Sequence, residues 1–227
     1  NFGNILSAFY AKEMGLPIGR LLCASNSNNV LTDFIATGKY DRNRPFYNTV
    51  SPSMDILISS NLERLLYLLS GGDDKLVAGY MKELSDTGCY QVSEEMRKKI
   101  QSVFVGGFSS EAETEATIGK MMDEHKYLID THTAVAFHVL EQYRKETGDQ
   151  TKTVVASTAS PFKFCDAVLD ALNVTDKATG TALLDQLAEV SGMPAPQPLA
   201  TLKDKQVRFT SWTEKEQMRA VVTDFLK

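Results

Sequence analysis

Apolar positions fall at helical spacing through most of this chain and in short unbroken runs in a few places. Ile5, Leu6, Phe9 and Tyr10 predict a helix that continues through Ala11 and Met14 to the break at Gly15-Leu16-Pro17. Arg20-Leu21-Leu22-Cys23-Ala24, between turn signals, predicts a buried strand. Val30, Leu31, Phe34 and Ile35 predict the next helix, closing at Thr37-Gly38. After a Pro-interrupted loop, a capping box from Ser60 to Glu63 opens a helix with Leu62, Leu65, Leu66 and Leu69 on one face, and Gly71-Gly72 stops it. The charged stretch from Asp73 to Lys99 reads as helix with a solvated face.

The second half repeats the alternation. Ser102 to Val105 predicts a strand running into Gly106-Gly107-Phe108, and a capping box from Ser110 to Glu113 opens a helix over Glu111 to Glu124. Leu128 to Thr133 reads as a strand end turning into a largely buried helix from Ala134 to Tyr143. Lys152-Thr153-Val154-Val155-Ala156 is a β-branched run that predicts a strand, followed by helices from about Phe162 and from Lys177 to Val190. Gln206 to Phe209 predicts a last strand. A capping box from Thr213 to Glu216 then leads an amphipathic helix carrying Met218, Val221, Val222 and Phe225.

Strands alternating with helices predict an α/β fold: three layers, a mostly parallel sheet flanked by helices. The helix-rich stretch from about 60 to 99 is the one candidate subdomain. At 227 residues with 43% hydrophobic and 23% charged, the chain can bury one large core or two modest ones. A net charge of −5 argues against nucleic acid or an anionic membrane as the partner, and no apolar run reaches the length of a membrane span. Cys23, Cys89 and Cys165, odd in number and far apart, point to reduced thiols and a cytoplasmic protein.

Candidate chemistry gathers at the junctions between elements. Asn1-Phe2-Gly3-Asn4 is a small, polar, glycine-containing turn feeding a helix, which suits a phosphate on outward N–H groups; it also suits a plain helix cap. Ser25 to Asn29 follows a strand end, where ligands bind in α/β folds, and caps the next helix equally well. Gly106-Gly107 is a tight turn or a second anion cradle, without the third glycine of a dinucleotide loop. His132 and His138, six residues apart, lack i, i+4 spacing and metal-spaced partners, so no metal site is expected. Ser157-Thr158-Ala159-Ser160-Pro161 places small hydroxyls at a strand's carboxyl end, ahead of a helix.

Three stretches in order carry a family resemblance. They are Asn1-Phe2-Gly3-Asn4-Ile5-Leu6; Ser51-Pro52-Ser53-Met54-Asp55-Ile56 with Ser60 to Leu66; and Ser157 to Phe164. Together with Asp130-Thr131-His132-Thr133-Ala134-Val135, they resemble the C-terminal part of bacterial threonine synthases. The resemblance implies part of the large domain of a fold-type II, tryptophan-synthase-β-like enzyme that uses pyridoxal 5'-phosphate. The implied reaction converts O-phospho-L-homoserine and water to L-threonine and phosphate. It implies that Asn1, Phe2, Gly3 and Asn4 hold the cofactor's phosphate, in a motif G-N-F-G-N whose first glycine is missing here. Thr158 is then the hydroxyl that meets the pyridine nitrogen, a neutral partner that leaves the ring less protonated than a carboxylate would. Many members have His at the place of Ser160.

The family's Schiff-base lysine lies N-terminal to the phosphate loop, and Lys12, Lys152 and Lys163 have no motif to replace it. Residues 1–227 are accordingly expected to be a C-terminal cofactor-binding domain whose lysine-bearing partner domain is absent. Such a chain would have no catalytic residue of its own, be inactive by itself, not retain the cofactor, and self-associate through uncovered apolar surface. Three other readings stand beside this one: a catalytically incompetent paralogue, a binding or structural fragment, or another fold-type II lyase such as a threonine dehydratase or cysteine synthase.

Overall fold

A computed structural model describes residues 2–227 of the chain. Its elements run α1 (Gly3–Glu13), β1 (Leu21–Ser25), α2 (Val30–Thr37), β2 (Lys39–Asp41), α3 (Leu62–Leu69), α4 (Asp74–Thr87), β3 (Cys89–Gln91), α5 (Glu94–Val103) and β4 (Phe104–Phe108). They continue with α6 (Glu111–His125), α7 (Thr131–Thr147), α8 (Cys165–Ala171), α9 (Ala182–Ser191), α10 (Gln197–Ala200) and α11 (Met218–Phe225).

β1 and β4 form a parallel pair, with Leu21 opposite Phe104 and Ser25 opposite Phe108. Helices cover both faces of it, because successive strand residues point to opposite sides. A Cβ on Gly106 would come within 2.9 Å of the Thr32 Cα in α2, and one on Gly107 within 2.6 Å of Val139 Cγ1 in α7. The α/β layering read from the sequence is therefore present, around two parallel strands. The double glycine lies inside β4 and not in a turn, and its missing side chains let α2 and α7 approach the sheet. Ser102 and Val103 belong to the end of α5, so the strand starts two residues later than the apolar run suggests.

β2 and β3, neither of them evident in the sequence, pair antiparallel with Tyr40 opposite Tyr90. The two rings stack at 5.3 Å, Tyr80 stacks on Tyr90 at 5.2 Å, and Phe34 meets both Tyr40 and Tyr90 edge-on. Aromatic pairs of this kind add about 0.5–1.5 kcal/mol each beyond simple burial, which is how three-residue strands persist. This column belongs to a first core that also takes Phe2, Leu6, Phe9, Leu62, Leu65, Leu66 and Phe104. The 60–99 stretch thus shares its apolar interior with α1 and α2. A second core, built from α6, the start of α7, α8 and α9, centres on Ile118, Val168, Leu169 and Leu187.

Several predicted elements are absent or moved. Lys152 to Ala156 and Gln206 to Phe209 are irregular, with Val154 92% exposed and Phe209 79% exposed. A β-branched run becomes a strand only where another backbone takes its N–H and C=O groups, and neither run has such a partner among the described residues. Leu128 and Ile129 are buried in the second core without strand pairing. α9 begins at Ala182, five residues after Lys177, whose ammonium instead bridges Asp166 and Asp170. Asn61, not Ser60, stands at the N-cap of α3. The Ser110–Glu113 capping box forms as read. That at Thr213–Glu216 does not: a single 3-10 turn precedes α11, whose Met218, Val221, Val222 and Phe225 are all exposed.

Candidate functional site

The carboxyl ends of β1 and β4 face the loop of residues 47–56 and the start of α7. β1 runs out at Ser25, whose carbonyl accepts the Ser109 N–H at 2.9 Å and locks the two strand ends together. The next residue, Asn26, is 1% exposed; its Nδ2 donates to Thr49 Oγ1 at 2.7 Å, Ser51 Oγ at 3.0 Å and Asp55 Oδ1 at 2.8 Å. Asn28 Nδ2 donates to the Tyr47 carbonyl at 2.8 Å and to Asp55 Oδ1 at 3.0 Å. Asp55 Oδ2 accepts the Thr49 N–H at 3.0 Å. The Asn-rich turn is not a side-chain helix cap, since Asn29 at the N-cap of α2 makes no such bond. It is a latch that folds the Ser51–Ile56 loop over the strand ends, with Ser51 fully buried.

The start of α1 has a different character. Phe2 sits at its N-cap in the left-handed region, φ 60°, and makes no side-chain cap. The Leu6 N–H closes the first helical bond on the Phe2 carbonyl at 3.0 Å, so the N–H groups of Gly3, Asn4 and Ile5 have no partner within the helix. There is no acidic residue in the first turn, and Asn4 is exposed. A helix start with no side-chain cap and no acidic residue in its first turn fits an anion of phosphate size. Phe2 is buried, its ring 5.4 Å from Phe104, which anchors the turn in the core. Gly3 lies against Asn61: a Cβ there would stand 3.4 Å from Asn61 Nδ2, joining the first and second stretches of the family motif in space. Asn1 lies outside the described residues.

Thr158 is exposed, in the irregular segment between α7 and α8. It is held from both sides. Ser157 Oγ is hydrogen-bonded to Thr133 Oγ1 at 2.9 Å, and the Ser160 side chain accepts the Phe162 N–H to start a 3-10 turn over 161–163. A recess of about 190 Å³ of mixed character lies beside it, lined by Asp130, Ser157 and Ser160 together with apolar residues such as Ile129, Phe162 and Met193.

Asp130 and His132, which the sequence marked as part of the family resemblance and gave no role of their own, are heavily hydrogen-bonded here. Asp130, fully buried, caps α7 by accepting the His132 N–H at 2.9 Å and the Thr133 N–H at 3.4 Å. It also accepts from His132 Nδ1 at 2.9 Å and from the Thr133 hydroxyl. Burial pushes the pKa of such a carboxyl up, but the hydrogen bonds from the His132 ring, the Thr133 hydroxyl and the His132 amide outweigh it and hold the pKa below the usual carboxylate range. His132 Nε2 accepts the Ser53 N–H at 3.1 Å, 79 positions away in sequence. Since an amide can only donate, Nε2 carries no proton and the neutral ring keeps its hydrogen on Nδ1. His138 lies apart, 3.5 Å from Glu113 Oε1.

Comparison with known proteins follows this geometry closely. Residues 133–222 match a family model described as "Threonine synthase, C-terminal". The chain is 41% identical over 196 residues to the human protein named threonine synthase-like 1, a match that covers 86% of this chain and 26% of that protein. A PLP-bound threonine synthase from Brucella melitensis superposes with a TM-score of 0.82 at 35% identity, over 100% of this chain and 44% of that one. The yeast threonine synthase does so with a TM-score of 0.84 at 32% identity, over 99% and 45%. The chain spans from about a quarter to just under half the length of these relatives.

Proposed function

We propose that this chain, a threonine synthase-like C-terminal region, is the cofactor-holding part of a pyridoxal-phosphate-dependent lyase that turns O-phospho-L-homoserine and water into L-threonine and phosphate. The observation that carries the reading is the start of α1, which has no side-chain cap and no acidic residue in its first turn. Gly3 and Asn4, with Phe2 fixing their direction and Asn1 before them, hold the phosphate. Thr158 donates its hydroxyl to the ring nitrogen, and Thr133, through Ser157, keeps that segment in place. When bound, the cofactor supplies the electron sink that makes a carbanion beside the amino group accessible. The chain's own contribution is to fix both ends of it, phosphate and ring, before the substrate arrives.

The lysine that carries the cofactor we place outside these 227 residues. Lys12 is engaged with the Ile18 carbonyl, and Lys152 and Lys163 stand exposed. By itself the chain should neither retain the cofactor nor turn over substrate, and its exposed α11 face and Val154 favour self-association. Three thiols, none in a disulfide among the described residues, support the cytoplasm as its compartment.

The test uses the complete protein that contains this chain, titrated with pyridoxal phosphate and followed by its visible absorbance. Asn4→Asp changes little in shape and sits well with the helix dipole, yet sets a negative charge beside the phosphate. It should weaken cofactor binding at least about tenfold while leaving the melting temperature in place. Equal affinity in the variant would sink the phosphate assignment.

A second reading has its own support. Identity to threonine synthase-like 1, at 41% over 196 residues, stands slightly above the 38% over 187 residues to the yeast threonine synthase. A relative that binds the cofactor without turnover would share every feature described. Phosphate release from phosphohomoserine by the complete protein separates the two.

A further inference from the structure

We propose that Asp130 and His132 are a positioning pair that ties the Thr158 segment and the Ser51–Ile56 loop to one and the same helix turn, so that the two loops keep a fixed register. The importance of that register rests on the role proposed above for Thr158; the tie itself does not.

Three contacts leave the first turn of α7, and a fourth comes from the neighbouring α6. The His132 ring accepts the Ser53 N–H through Nε2 and so holds the loop whose other end is latched by Asn26 and Asn28. The Thr133 hydroxyl reaches Ser157, immediately before Thr158. On the other side of Thr158, the Phe164 ring lies 4.8 Å from the His132 ring. Thr158 is therefore bracketed by two contacts with neighbouring residues of a single turn. The fourth contact, from the Glu111 carboxylate on α6, reaches the same loop next to Ser51: Glu111 Oε2 accepts the Val50 N–H at 2.8 Å, and α6 packs along α7.

Asp130 is what makes these contacts a unit. Its Oδ1 takes the Nδ1 proton of His132, which leaves Nε2 as an acceptor and turns it toward Ser53. Its Oδ2 takes the Thr133 hydroxyl proton, which orients that oxygen toward Ser157. With Asp130 fully buried and His132 8% exposed, water does not compete for these bonds. One carboxylate thus sets the direction of two side chains that serve two different loops. A merely structural N-cap would need neither the ring tautomer nor the hydroxyl.

The experiment measures hydrogen exchange of the Ser53 amide by NMR on the full chain without cofactor. It therefore reads the tie independently of whether the cofactor reading holds, which the titration above decides. His132→Asn keeps a donor toward Asp130 but loses the acceptor toward Ser53, and should speed exchange about tenfold, the worth of one buried hydrogen bond. His132→Gln restores an acceptor at the distance of Nε2, and should return exchange to within about threefold of the original. Thr133→Val and Asp130→Asn, which touch Ser53 only through the shared carboxylate, should speed it about threefold or more.

Unchanged Ser53 exchange in both Thr133→Val and Asp130→Asn would overturn the proposal, and so would failure of Gln to rescue. Should the variants not fold, the nitrogen shifts of the His132 ring in the unaltered chain decide. A protonated Nδ1 with a bare Nε2 supports the pair; a protonated Nε2 overturns it.

Discussion

Leu21 to Ser25 pairs in register with Phe104 to Phe108 and buries alternate residues. Lys152 to Ala156, with two adjacent valines and a threonine, is at least as strand-like in composition, yet leaves Val154 92% exposed and pairs with nothing among the described residues. The difference lies in the surroundings and not in the runs themselves. β1 has a parallel neighbour and a helix on each face; the later run has neither. A strand is a relation between two backbones, and propensity expresses only readiness to enter it.

Three substitutions probe that contrast. Phe104→Ala, at a ring 1% exposed that touches both Phe2 and Phe9, should cost about 3–5 kcal/mol in denaturant unfolding of the full chain. A loss under 1 kcal/mol would mean that β4 is not the centre of the first core. Gly106→Ala sets a methyl group 2.9 Å from the Thr32 Cα, a backbone atom, and must push α2 off the sheet; about 1–3 kcal/mol is expected by the same measurement. Neutrality there would place α2 further from the strand than described. Val154→Ser should change stability by less than about 0.5 kcal/mol, because the side chain is already in water. A larger loss, growing with protein concentration, would reveal that the run finds a strand partner in a second copy.

The same contrast explains what could be read in the sequence. Helices with a one-sided apolar stripe and a clear stop, such as α2 ending at Gly38 with φ 74°, were legible because their signals are local. So was the start of α1 at Gly3. β2 and β3 were hidden because three residues carry no period, and what holds them is an aromatic column assembled from positions 34, 40, 80 and 90. At the site, the bond from Asp130 back to the amide of His132 is an ordinary capping pattern and could have been inferred from Asp-x-His-Thr before a helix. The bond from His132 to Ser53 could not, since nothing in either stretch points to the other. The bonds from the Asn-rich turn after β1 to Asp55 were out of reach for a related reason: amide side chains suit many partners, and nothing local points to a carboxylate 27 and 29 positions on.

Phe2 has a bearing on binding strength that its place in the core conceals. A bulky L-residue in the left-handed region costs roughly 1–2 kcal/mol, and glycine would relieve it. Here the ring's burial against Phe104 offsets that strain and freezes the turn. If the phosphate binds at Gly3 and Asn4 as proposed, it does not have to supply the ordering entropy of a floating loop, about 1–2 kcal/mol per residue. On that proposal, a flexible glycine at position 2 should give a more relaxed chain that binds the phosphate more weakly.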